Sequence, residues 1–280
     1  MFAGAIAHLA EGTLSRLPTA LDVPFATAAG SLAYSASAAG RAAIRENLAI
    51  VVPERPDRER IVRQVFIEQA RNYIEIFRLA RLDHAAVKRL IVVSGWERFT
   101  EAAARGAGVI IASGHLGPVS VCGQVVIANG YDVTLPIEND TSQMADAINR
   151  ARSAIGLKLV STDSALGIHR ILKRGGTLGM IVDRPITGVG ERVPFFGLPA
   201  LIPSAHIVLA LRTGAALIPA FAHRDGNTLR AHFEPAVELQ RTGDRDADVR
   251  AGVRRWAAIL EPHIRNAPEQ WTVFEPLWHR

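Results

Sequence analysis

An α/β fold, with a mostly parallel central sheet covered by helices on both faces and a helical N-terminal segment, follows from three features of the sequence. From residue 90 onward, short β-branched runs alternate with segments of helical periodicity. Those runs are apolar nearly throughout, as strands buried on both faces are. Residues before 88 show helical patterns alone, so the sheet belongs to the second part of the chain.

The elements follow in chain order. In residues 1–40, Leu9, Leu14, Leu17, Leu21, Phe25 and Leu32 fall on one side of helical segments, a stripe that suits either a membrane surface or the rest of the protein. Glu11, Arg16 and Asp22 interrupt every apolar stretch long enough to span a bilayer, so no spanning helix is expected. A basic start followed by a compact apolar core is missing, and no signal peptide is expected either. RAAIRENLAIVV predicts a helix stopped by Pro53. DRERIVRQVFIEQARNYIEIFRLARL predicts a second, with Ile61, Val65, Ile67, Tyr73, Ile74 and Phe77 at helical spacing, and the two form a helical hairpin on a core.

LIVVSG is then a strand, WERFTEAAARG a helix and GVIIASG a strand. YDVTLPI, LKLVST and TLGMIVDR are further strands, separated by the helices SQMADAINRARSAIG and SALGIHRILKRGG. AALIPAFAHR and TLRAHFEPAVEL form an antiparallel pair, and DADVRAGVRRWAAILEPHIR closes the core as a helix. No repeat, low-complexity tract or linker divides the chain. It reads as one domain over 1–280, with a helical front over 1–88 that either meets a membrane or packs on the rest of the protein, and an α/β core over 90–280.

Composition narrows the function classes. With 49% hydrophobic and 21% charged residues the chain is globular rather than disordered. The single cysteine, Cys122, excludes an internal disulfide and a cysteine-rich metal site, and points to a reducing compartment, the cytoplasm by default. The net charge is +5, and only three of the 32 basic residues are lysines. Guanidinium grips phosphate bidentately, so the excess fits anionic lipid, a phosphorylated cofactor or nucleic acid. Nucleic acid is disfavoured, because no aromatic-basic interleaving, zinc pattern or helix-turn-helix accompanies the charge.

Chemistry concentrates in GVIIASGHLGPVSVCG. The strand ends at Ser113-Gly114, so His115 lies at the carboxyl edge of the sheet, where α/β proteins bind ligands, and it is expected to open the next helix. A histidine there is either a structural cap or a general base. Cys122 has apolar flanks and reads as a small core residue. His169, His206 and His223 lack metal-ligand spacing, and Gly188 and Gly190 form no nucleotide fingerprint, so no metal or nucleotide cofactor is expected.

VDRPITGVGERVPFFGLPALIPSAHIVLALRTGAALIPAF resembles the bacterial lipid A biosynthesis acyltransferases and their relatives that acylate phosphatidylinositol mannosides. The likeness lies in an acid-Arg pair, a Thr-Gly loop, Val-Pro-Phe-Phe-Gly and a helix closing on ALRTGAALIP. PEQWTVFEPLW looks like the ending of the same group, and RENLAIV and GHLG also match, so the resemblance runs from about residue 40 to the C-terminus.

The resemblance implies an α/β fold with a membrane-facing groove, in which a histidine of a His-(four residues)-Asp/Glu motif deprotonates an acceptor hydroxyl. The oxygen then attacks the thioester of acyl-CoA or acyl carrier protein, the only donors it implies, with no further cofactor. His115 takes the base's place. The motif acid, however, is replaced by Ser120, and a serine brings no charge to balance an imidazolium.

Three readings follow: another acid substitutes, the reaction is slow, or the protein binds lipids or acyl chains without turnover. Asp183 is the foremost substitute, since the mannoside-acylating relatives carry an acid just before Arg184 at the end of a neighbouring strand; alternatively Asp183 pairs with Arg184 alone. Glu191 and Glu138 are weaker substitutes. Arg152 and Arg184 suit phosphates of a lipid head group or of coenzyme A, although Arg152 also reads as a surface charge. Phe195 and Phe196 either line an acyl groove or fill the core, and Trp271 and Trp278 either meet a membrane interface or anchor the C-terminal segment.

The expectation is an O-acyltransferase acting on a membrane glycolipid or phospholipid from the cytoplasmic face of the membrane as a peripheral protein. An impaired lipid-binding relative and an acyl-thioester hydrolase are the alternatives.

Overall fold

The computed structural model describes residues 18–138, 140, 142–185 and 188–278. Leu9, Leu14, Leu17, Glu11 and Arg16 lie outside them. Three helices lead: α1 (Asp22–Ala36), α2 (Ala38–Val51) and α3 (Arg58–Arg78). Ser37 caps α2 by accepting from the Gly40 N–H, and Pro53 follows its end as expected. α1 meets α3 at close range through Gly30, where an added Cβ would lie 2.5 Å from the Ile67 Cα. Its buried side is thus made of Ala26 and Gly30, while Leu21, Phe25 and Leu32 face outward, Leu32 being 71% exposed. The described part of the predicted stripe, Leu21, Phe25 and Leu32, does not pack on the core. Among the described residues no helix is long and apolar enough to cross a membrane.

The core alternates strand and helix, as its texture predicts: α4 (His84–Leu90), β1 (Ile91–Ser94), α5 (Trp96–Ala104), β2 (Val109–Ser113), α6 (Val119–Cys122), α7 (Gln124–Ala128), β3 (Val133–Ile137), α8 (Gln143–Ser153), β4 (Lys158–Ser161), α9 (Ala165–Lys173) and β5 (Thr177–Ile181). After a hairpin of β6 (Glu191–Phe195) and β7 (Leu198–Ile202) come α10 (Ala205–Thr213), β8 (Ala216–Asp225), β9 (Thr228–Phe233) and α11 (Arg245–Asn266). The seven-stranded sheet has the order β1-β9-β8-β2-β5-β3-β4. β8, β2, β5, β3 and β4 run parallel, and β9 turns back antiparallel to β8, the predicted pair, with β1 parallel to β9. Apolar clusters lie on both faces, one around Trp256 and Phe221 and the other around Phe77 and Phe99.

Two local expectations are corrected. No strand is expected from the sequence in the stretch that forms the β6–β7 hairpin; Pro194 and Pro199 face each other across it, and proline in a run argues against a strand. Its two-residue turn places Phe196 at φ 51° and Gly197 at φ 81°, the positive angles that tight hairpins require. His115, in turn, does not open a helix. Pro118 is the N-cap of α6, which starts at Val119, and Gly117 before it sits at φ 58°, where an added Cβ would lie 2.6 Å from the Ala222 carbonyl oxygen. His115 therefore lies in a short loop rather than in a helical turn.

Candidate active site

Strand register creates the site. β2 and β5 are adjacent and parallel, with Ser113 opposite Ile181, and the Val182 N–H extends the ladder by donating to the Ser113 carbonyl. His115 and Asp183 each lie two residues beyond that pair, so residues 68 apart in sequence leave the sheet side by side. The Asp183 carboxylate reaches the His115 ring, Oδ1 to Nδ1, at 2.6 Å, while its Oδ2 accepts from the His115 backbone N–H at 2.8 Å. A Cβ at residue 114 would come within 3.1 Å of Oδ2, so glycine there keeps the approach open.

Asp183 is wholly buried, whereas the imidazole keeps about a quarter of its side chain exposed. Burial pushes the Asp183 carboxyl up, but the His115 ring beside it and the N–H donors outweigh this and hold it below the ordinary carboxylate range. The third donor is the Trp271 indole, whose Nε1 lies 3.0 Å from Oδ2.

His115 opens onto a cleft of about 530 Å³ at the carboxyl edge of the sheet, lined also by Tyr73, Ser120, Arg152, Arg184, Glu138 and Glu275. Ser120 does not face the ring in place of the motif acid. Its hydroxyl accepts from Arg152, at 2.9 Å from Nη2 and 3.2 Å from Nε. Burial pushes the Arg152 guanidinium down, and the Tyr73 phenol is the group that pulls the other way. Arg152 is therefore no freely solvated surface charge. Behind Ser120 and Arg152 lies a narrower apolar cavity of about 90 Å³, floored by Phe221 and Phe233.

Arg184 does not pair with Asp183; it bonds the Glu275 carboxylate at 2.8 Å and lies 3.7 Å from Glu138. Of the two weaker substitute acids, Glu138 is this neighbour of Arg184, and Glu191 pairs with Arg250. Phe195 and Phe196 line neither cavity. Phe195 is fully buried and stacked on Trp278, whose indole donates to its carbonyl, while Phe196 packs under Arg265. Trp271 is buried, so an exposed place at a membrane interface is excluded for it. Cys122 is buried in the core, which pushes its thiol far up and leaves it a packing residue.

Trp271 as a partner of Asp183, and Glu275 as the partner of Arg184, were not found from sequence. Both reach the site from the C-terminal segment, about ninety residues on, and no local periodicity signals such contacts.

A mostly parallel sheet with a histidine–carboxylate pair at the carboxyl ends of β2 and β5, beside an apolar cavity, defines an α/β protein with a candidate site at the strand ends. The model of the bacterial lipid A biosynthesis acyltransferases matches residues 4–280, and the chain belongs to that family. It is similar to a phosphatidylinositol mannoside acyltransferase of Mycobacterium tuberculosis, 25% identical over 255 residues that cover 88% of this chain and 79% of the relative. A protein of the same description from Mycolicibacterium smegmatis is 26% identical over 253 residues, covering 88% and 82%. The chain is thus an acyltransferase of this family, and the likeness read from Val-Pro-Phe-Phe-Gly and the C-terminal tryptophans holds over nearly its whole length.

Proposed function

We propose that the chain transfers a fatty acyl group from acyl-CoA or acyl carrier protein to a hydroxyl of a membrane glycolipid or phospholipid, with His115 as general base and Asp183 as its charge partner. The observation that carries this reading is the 2.6 Å contact between the His115 Nδ1 and a carboxylate buried behind it. That contact favours the tautomer protonated on Nδ1 and leaves Nε2 as the basic atom. Nε2 takes the acceptor's proton as the hydroxyl oxygen attacks the thioester carbonyl. The tetrahedral intermediate collapses to the ester, and the imidazolium returns the proton to the departing thiolate. Asp183 stabilises the cation in between.

Arg152 and Arg184 lie in the same cleft and bind the phosphates of donor or acceptor, and Glu138 braces Arg184. The apolar cavity behind Arg152 takes acyl chain in place of Phe195 and Phe196. The relatives named for phosphatidylinositol mannoside acylation support a glycolipid acceptor. Leu21, just before α1, and the outward Phe25 and Leu32 of α1 rest on the cytoplasmic face of the membrane, where thioester donors are available, and make the protein peripheral.

The reading as an impaired relative rested on Ser120, and the acid behind the ring supports turnover instead. Incubation with acyl-CoA and a membrane lipid extract is expected to yield an acylated lipid that His115→Ala does not make. Undiminished turnover in that variant overturns the base assignment, and free fatty acid without any acylated lipid marks a hydrolase.

A further inference from the structure

The C-terminal segment closes directly on the proposed base. The Gly117 N–H donates to the Gln270 carbonyl at 2.9 Å, the Thr272 N–H donates to the His115 carbonyl at 2.8 Å, and Leu116 and Trp271 form an antiparallel bridge. Gln270 fastens the other side: its Oε1 accepts from the Arg224 N–H at 2.7 Å and its Nε2 donates to the Arg224 carbonyl at 2.8 Å, at the end of β8. The segment is thus bound to the His115 loop and to a core strand at once. The Thr272 hydroxyl donates to the His115 carbonyl at 3.3 Å, and among the described residues of the segment it is Trp271 that reaches the carboxylate of Asp183. The Trp271 indole is 2% exposed and donates its single N–H to Asp183 Oδ2, the oxygen that also accepts from the His115 backbone.

A carboxylate with free rotation about its terminal bond presents either oxygen, or neither, to the ring. Two donors converging on Oδ2 fix that rotation and leave Oδ1 aimed at Nδ1. The backbone donor comes from the histidine itself and moves with it. The indole comes from a different element, so it ties the carboxylate to the frame of the protein instead of to its own partner.

We propose that Trp271 is a positioning residue for acyl transfer: its indole N–H holds Asp183 in the rotamer that orients His115, making the C-terminal segment part of the catalytic unit. The inference rests on the base assignment above. Trp271→Phe removes the donor, and the site-specific benzothiophene analogue of tryptophan at 271 deletes the N–H while keeping the bicyclic ring, so loss of packing is separated from loss of the donor.

A hydrogen bond to a charged group supports an expected fall in kcat of about tenfold to a hundredfold in both, with KM for donor and acceptor within about twofold of the original. In an Asp183→Asn background the same change at 271 is expected to cost nothing further, because the indole acts through that carboxylate. The far-downfield proton resonance of the His115–Asp183 hydrogen bond, read without any substrate, is expected to shift or broaden in the analogue. An unchanged kcat and resonance in the analogue, or losses that add fully to those of Asp183→Asn, overturn the proposal. His115→Ala reports on the base reading separately: full activity there sinks that reading, whereas a dead His115→Ala beside a fully active analogue sinks this one alone.

Discussion

Two charged groups of the cleft are taken out of water in opposite ways. Asp183 has no exposed surface and collects three N–H groups, the His115 backbone, the His115 ring and the Trp271 indole, a shell that favours its ionised form despite its burial. Arg152, on the far side of Ser120, is matched by one hydroxyl oxygen and, among the described residues, by no carboxylate. A buried charge is tolerated only when it is paired and hydrogen-bonded. The first arrangement is complete within the protein, as the proposed role of a fixed charge partner requires. The second pairs the guanidinium with a neutral acceptor, which suits the proposed binding of an anionic ligand. The chain's departure at position 120 therefore falls on the arginine side of the cleft and not on the histidine side.

The largest expected effect tests the complete side. Asp183→Asn keeps the shape but removes the charge and turns one oxygen into a donor that cannot accept from the Nδ1 proton. On the precedent of the corresponding change in a serine protease triad, kcat for acyl transfer falls on the order of 10⁴-fold, measured with acyl-CoA and a lipid acceptor. A loss below about tenfold would mean that the carboxylate is a structural cap and that the comparison has no catalytic content.

The same residue gives a stability signature. Because the folded carboxyl is held below its ordinary value of 3.8, the stability it contributes is fully present above the unfolded pKa and is lost as the pH falls through the folded one. Thermal unfolding followed from pH 7 down to 3 is expected to show the original protein losing part of its advantage over Asp183→Asn at the acid end. Parallel curves for the two would show that the donors around Oδ2 do not favour the ionised form.

How far the sequence reveals this arrangement depends on the range over which each feature is encoded. Helix and strand are local: β-branched apolar runs and 3.6-residue stripes carry β1 to β5 and α3 to within a few residues. The placing of Asp183 beside His115 was anticipated from the family resemblance, which implies an acid just before Arg184, together with the expectation that both apolar strands end at one sheet edge. The hairpin at Phe196 was hidden by prolines that local propensity reads as loop. The partners of Ser120, Arg184 and Trp271 were not legible. Each is a contact between segments at least thirty residues apart, settled by register and packing that no short motif records.

The smallest effect tests the incomplete side, and it separates the motif from the geometry. If the serine at 120 were a lost catalytic acid, Ser120→Asp would raise the rate of transfer. Its hydroxyl, however, sits 2.9 Å and 3.2 Å from two nitrogens of Arg152, so a carboxylate introduced there meets a guanidinium fork before it meets an imidazole. The pair would replace a neutral acceptor by a charged one in a largely buried place, which is worth about 1 kcal/mol of added stability. It would also take up the cationic character that a substrate phosphate uses. Ser120→Asp is therefore expected to unfold at a slightly higher temperature, to leave kcat no higher than in the original protein, and to raise KM for the anionic substrate. A gain in kcat with unchanged stability would mean that the new acid turns to His115, and the two sides of the cleft would then have to be treated as one.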